Sequence, residues 1–161
     1  MNSSPVKPGS TAGLFVFELE HFLPYRLSLL TNTVSDGIAQ CYREKYDISV
    51  MEWRILAVLG RYPGLTASEI IDRTAMDKVT ISRAVKNLVK KDLLQRKTDQ
   101  EDRRRILLFV TATRGAQMLA EVMPLAQQYE TKLLDSLDSE EQRALSKAVK
   151  TLQAQAQSLK S

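Results

Sequence analysis

The side chains best equipped for chemistry in this chain are cations, and they are crowded. The 28 residues from Lys78 to Arg105 hold ten basic and four acidic residues, a net of +6. The other 133 hold thirteen and fifteen, a net of −2, so the modest overall charge of +4 hides a strong asymmetry. Cations concentrated in one segment suit a polyanion, because each neutralised phosphate releases condensed counterions. The plainer reading of such a run is a solvated face. Catalysis finds little to work with. One histidine (His21) and one cysteine (Cys41) leave no HExxH motif, no His-centred triad and no thiolate zinc cluster. With six glycines and no G-x-G-x-x-G or G-x-x-x-x-G-K-S/T, no loop is built to cradle a nucleotide phosphate. The expectation is a non-enzyme with no metal site, no catalytic residues and no cofactor.

Within the cationic stretch the residues fall into two constellations. At about 100° per residue, a helix that turns Ile81, Val85, Leu88 and Val89 inward presents Thr80, Arg83, Lys86, Asn87 and Lys90 on its opposite face. Lys78 and Ser82 flank that face near the helix start. These are base-reading and phosphate-meeting types, and a recognition helix uses its N-terminal residues on base edges. Arg83 suits a bidentate guanine contact. Thr80, Ser82 and Asn87 suit bases or phosphates, and Lys86 and Lys90 suit the backbone. The second constellation is Asp102, Arg103, Arg104 and Arg105, on a polar stretch between two runs of strand-forming residues.

The elements that must hold these groups are readable from caps and periodicity. Ser49 and Glu52 have capping-box spacing and open a helix that turns Trp53, Leu56 and Leu59 inward and stops before Pro63 and Gly64. Thr66 and Glu69 repeat the device for a short helix carrying Ile70 and Ile71. A turn over 74–76 leads to Asp77, which caps a helix to about Lys91. Leu94–Lys97 and Arg105–Val110 read as a hairpin with a charged tip. Thr111 is expected to cap a long helix to about Leu137, kinked at Pro124. Asp138 and Glu141 start the last helix, whose Leu145, Val149, Leu152, Ala156 and Leu159 step 4-3-4-3, as in a heptad seam. Upstream, Leu23, Leu27, Leu30, Val34, Ile38 and Cys41 line one face of a helical region from about Leu14 to Tyr46. Both terminal seams are long for a monomer's surface.

The order is helix-turn-helix followed by strand-loop-strand, and the hairpin carries a signature. Asp99, Asp102, Arg103, Arg104, Leu108, Val110, Thr111 and Gly115 resemble the D-x-x-D-R-R wing motif, with its following L, L/V-T and glycine, of the MarR family of bacterial transcriptional regulators. Lys78–Arg83 is similar to that family's recognition-helix core, and Leu88–Leu94 to its L-x-x-x-G-L continuation. Asp92 stands where the family has glycine, and Gln100 where it has proline. In order of elements the likeness spans about residues 20–158. It implies a mainly α fold with a small β-hairpin wing, a winged helix-turn-helix over 49–110 and dimerisation helices over 14–46 and 112–160. Together these make one domain, 14–161, behind a mobile tail of residues 1–13.

The resemblance also assigns roles. Arg104 would enter the minor groove with Asp102 pairing to hold its guanidinium, and Arg103 and Arg105 would serve phosphates or neighbouring acids. The partners implied are double-stranded DNA with a roughly palindromic operator, a second copy of the chain, and a small aromatic acid or its thioester. The effector would bind between the dimer helices and the DNA-binding lobe and release a repressor. The candidates there are Tyr25, Arg26, Tyr42, Tyr46, Trp53 and Arg54, whose alternative is ordinary core aromatics and surface arginines. Phe22–Leu27 also resembles the family's hydroxycinnamate-responsive group. Two other functions stay open: a redox-responsive regulator acting through Cys41, and a winged-helix protein-interaction module that binds no DNA. No run of 18 apolar residues exists and no secretory signal is framed, so the expected location is the bacterial cytoplasm, at the nucleoid when on DNA.

Overall fold

The computed structural model describes residues 18–159, so the expected tail at 1–13 lies outside the described residues. The chain divides into two compact units, Met1–Val34 and Ser35–Ser161. The first holds a 3-10 turn at Leu19–His21 and most of helix α1, Leu23–Ala39. Pro24 sits in the first turn of α1, where a missing N–H costs nothing. Leu23, Leu27, Leu29 and Leu30 of that unit are exposed.

In the second unit the helical pattern expected to run to Tyr46 is interrupted. After α1 the backbone tightens, with Cys41 N donating to Ile38 O and Tyr42 N to Ala39 O. A single turn, α2, covers Arg43–Tyr46, and Asp47 closes it at φ 49°. Burial is the reason for the break. It carries the rings of Tyr42 and Tyr46 into the core, which a straight continuation would not do.

Both capping boxes form. Ser49 Oγ accepts from Glu52 N while the Glu52 carboxylate accepts from Ser49 N, opening α3, Val50–Arg61. Thr66 and Glu69 do the same for α4, Ala67–Thr74. Ala75 then turns the chain at φ 53°, and Asp77 caps α5, Lys78–Lys90. Ile55, Leu56 and Leu59 of α3, Ile70 of α4 and Ile81, Val85 and Leu88 of α5 make the centre of the core, joined by Met118 and Val122.

Strands β1, Leu94–Thr98, and β2, Ile106–Val110, pair antiparallel with Leu94 opposite Val110 and Thr98 opposite Ile106. The second strand begins one residue later than its aliphatic run suggests, because Arg105 belongs to the tip. A bridge between Leu65 and Leu108 adds the α3–α4 connection to the sheet: Leu108 N donates to Leu65 O at 2.9 Å, and Gly64 N to Leu108 O at 3.0 Å.

Helix α6, Arg114–Leu134, runs through Pro124 and ends three residues before the expected Leu137. Thr111 is not its N-cap residue. It is buried, its hydroxyl donating to Asp92 O and accepting from Gly115 N, both at 2.8 Å, while Thr113 occupies the cap position without a side-chain bond. Gly115 is required sterically: a Cβ there would lie 2.4 Å from Leu93 O. Helix α7, Ser139–Ser158, opens with a third capping box from Asp138 and Glu141 and buries none of its residues.

Candidate nucleic-acid interface

Helix α5 presents its polar face as its amphipathic pattern requires. Lys78, Ser82, Arg83, Lys86, Asn87 and Lys90 are exposed, while Ile81, Ala84, Val85 and Leu88 are buried. Thr80 differs from its neighbours. It is half-buried, and its N–H (2.8 Å) and hydroxyl both donate to the Asp77 carboxylate. Those bonds, the side-chain one first, hold the Asp77 carboxyl below the usual carboxylate range. The structure thus gives Thr80 a helix-capping task whether or not it also meets DNA.

The hairpin stands beside this helix. Lys78 and Ser82 of α5 share a hollow of about 420 Å³ with Arg96 of β1 and Ile106 of β2, so the start of α5 and the strands of the wing open onto one space. Arg96 and Lys97 add two exposed cations on β1, the latter with its ammonium 5.0 Å from the Phe109 ring centroid. They were countable in the sequence as charge but carry no family signature, so no role attached to them. On the other flank of α5, Thr80, Arg83 and Asn87 line a second hollow with Ser49, Met51 and Glu52.

At the wing tip, Arg104 Nε donates to Asp102 Oδ1 at 3.1 Å, its Nη2 to Oδ2 at 3.4 Å and its backbone N to Oδ1 at 3.0 Å. The Arg104 side chain is nevertheless 91% exposed. The Asp102 carboxyl is pushed below its ordinary value, chiefly by the Arg104 side chain. A guanidinium oriented by a short acidic loop yet bare to solvent is a cation prepared for an external anion. Arg103 is exposed beside it. Arg105 instead turns back to protein, reaching Glu69 Oε1 at 3.4 Å and Asp99 Oδ2 at 3.5 Å.

The six effector candidates separate. Tyr25 and Arg26 lie on the exposed first turns of α1, in the first unit. Tyr42 and Trp53 stack in the core with ring centroids 5.2 Å apart. The Tyr42 hydroxyl is buried with no hydrogen-bond partner among the described residues, and burial pushes its pKa up to about 12. Tyr46 donates its hydroxyl to Glu121 of α6, which also accepts from Lys45 and Gln117. Arg54 donates to Ser35 Oγ at 3.2 Å and, with Trp53, lines a hollow of about 310 Å³. Sequence reading missed Arg73 and Thr74, which line it too. Arg73 stacks 4.2 Å from the Tyr62 ring centroid, a pairing no local pattern announces. Cys41 is half-buried, packed against the core and in no disulfide.

A helix-turn-helix whose second helix shows cations and amides, with an arginine-tipped hairpin at its side, defines a winged-helix DNA-binding lobe. The MarR family model matches residues 46–105. The transcriptional regulator HosA of Escherichia coli O127:H6 is 23% identical over 114 residues, covering 71% of this chain and 84% of that protein. The HTH-type transcriptional repressor NicR of Pseudomonas putida is 29% identical over 98 residues, 61% of each chain. Among solved structures, a MarR/EmrR family regulator from Acinetobacter sp. ADP1 superposes with a TM-score of 0.80 at 24% identity, over 88% of this chain and 99% of that one. The Streptomyces coelicolor regulator PcaV in complex with its natural ligand gives 0.75 at 20% identity, over 89% and 99%. A Staphylococcus aureus MepR–DNA complex gives 0.75 at 22%, over 83% and 98%. The chain is similar to MarR family transcriptional regulators, by the family model over residues 46–105 and by sequence to HosA over most of that protein, and its fold is that of the solved MarR-type structures.

Proposed function

We propose that this regulator binds a palindromic operator as a homodimer, represses from it, and lets go when a small aromatic acid or its thioester binds. Arg83 reads a base edge in the major groove, flanked by Lys78, Thr80, Ser82, Lys86, Asn87 and Lys90. Arg104 enters the adjacent minor groove, with Arg103 on the phosphates. One observation carries the reading: a guanidinium fixed by Asp102 at its inner edge and open to solvent at its outer edge. A slim tip of this kind matches the narrow, strongly negative minor groove of A·T-rich DNA.

The test is fluorescence anisotropy on a palindromic duplex that the wild-type protein has selected from a random library. Arg104→Ala should weaken binding about tenfold or more at fixed salt. Unchanged affinity would sink the minor-groove role of Arg104, and failure of the wild-type protein to select any duplex would favour a protein-interaction module.

The effector part rests on the hollow under Arg54 and Arg73. Arg54 and Arg73 line it together with the apolar Trp53, Ala57 and Val58, a combination of cations and apolar wall that suits a flat ring bearing a carboxylate. A repressor relative and a fold neighbour holding its natural ligand support the same reading. Aromatic acids and their coenzyme A thioesters should raise the melting temperature and lower operator affinity together. Among the described residues no helix is long and apolar enough to cross a membrane, and the proposed setting is the bacterial cytoplasm.

A further inference from the structure

We infer that Arg105 is a positioning residue: it latches the wing to the N-terminus of α4 and so sets the angle at which Arg104 meets the duplex. The inference rests on the reading that the wing touches DNA.

The wing is held at two heights. Midway along β2 it is pinned by the backbone bridge of Leu108 to Leu65. A hairpin tied only there is free to tilt about that line. Arg105, on the tip side of β2, supplies a second tie. Its own backbone closes the tip, with Arg105 N donating to Asp102 O at 2.9 Å and Asp99 N to Arg105 O at 3.0 Å. Its guanidinium then spans from Asp99, at the start of the tip, to Glu69 on α4.

Glu69 is a well-anchored post. One of its oxygens, Oε2, is occupied by Thr66 N at 2.7 Å and Thr66 Oγ1 at 2.8 Å, leaving Oε1 for Arg105. The same carboxylate that caps α4 therefore registers the wing against it. The charge count agrees. Two carboxylates converge on one guanidinium, so the trio is net negative and a poor phosphate ligand, unlike Arg103 and Arg104 beside it.

The decisive variant is Glu69→Gln. Glutamine keeps the capping-box acceptor while removing a negative charge from a DNA-facing lobe. If only the field mattered, binding would tighten. The latch predicts that operator affinity falls, by about three- to tenfold. Arg105→Gln should weaken binding to a similar degree with the salt dependence unchanged, and adding Glu69→Gln to it should cost nothing further. Arg105→Lys, remote from the cap and able to reach one acid only, should fall between wild type and Arg105→Gln.

Equal or tighter binding by Glu69→Gln overturns the latch. So does a salt slope for Arg105→Gln shallower by about one, the mark of a lost phosphate contact. Arg104→Ala, on the same duplex, tells the two readings apart. If Arg104→Ala weakens binding and Glu69→Gln does not, the latch alone is wrong. If Arg104→Ala changes nothing, the wing has no groove to meet and both fall.

Discussion

At the scale of single residues, Asp92 joins the most local rule to the fold. The sequence shows an acid where the MarR pattern it resembles has glycine, at the exit of the candidate recognition helix. The backbone there still adopts φ 57°, the left-handed conformation that glycine takes without cost. An aspartate thus holds the conformation that glycine favours, and the chain carries some strain for it. Asp92→Gly should leave DNA binding intact and stabilise the protein by roughly 0.5–1 kcal/mol, less the added entropy of the unfolded chain. Chemical denaturation would measure this, and a net loss of stability would contradict it. Thr111 and Gly115 were legible as part of a signature, but their reason was not. It lies in a hydroxyl bridging Asp92 O to Gly115 N and in the Leu93 carbonyl pressed against the glycine, which tie this stretch to residues far back along the chain. Arg83 and Arg104 could be picked from the sequence because helical angle and motif point to them. Arg73 and the Arg105–Glu69 pair could not, since their partners are 11 and 36 residues away.

At the scale of elements, caps carried most of the legibility. The boxes expected at Ser49 and Thr66 form, and Asp138, expected to start the last helix, makes a third, because an N-cap is decided by four consecutive residues. The break in the first helical stretch escaped notice because it is decided by burial of Tyr42 and Tyr46 against later elements. One contact that holds this break has a pH signature. Glu121 of α6 accepts from Lys45, then from Tyr46 and Gln117, and its pKa falls from the ordinary 4.5 to about 2. A carboxyl depressed in the folded state contributes stability that is full above its unfolded pKa and drains away as the pH falls through the folded one. The window for Glu121 therefore runs from about 4.5 down to about 2. Glu121→Gln should flatten the acid limb of melting temperature against pH in that range. If wild type and variant lose stability in parallel, the clip contributes nothing.

At the scale of the whole molecule, the terminal seams stay largely uncovered. Leu145, Val149 and Leu152 of α7 remain 45%, 41% and 45% exposed, a stripe that continues to Leu159. An apolar stripe on a helix that buries nothing of its own is covered, on the proposed reading, by a second copy of the chain. Light scattering should give twice the chain mass at micromolar concentration, and Val149→Asp should give the monomer with operator binding lost, since one half-site alone holds weakly. A wild-type monomer that still grips the operator would refute this. The fold class was readable in advance because a winged helix announces itself by element order, whereas quaternary arrangement involves surfaces whose complement is not in the chain's own pattern.

The bridge between Leu65 and Leu108 has one more consequence. It welds the hairpin to the loop that precedes α4, so its third rung comes from the same stretch that launches the helix-turn-helix. Along that line the hairpin and the start of the helix-turn-helix move together. On the proposed reading, a signal arriving through the long helices would swing or separate two heads and open the grip on the duplex as callipers do, by changing the span between jaws more than their own shape.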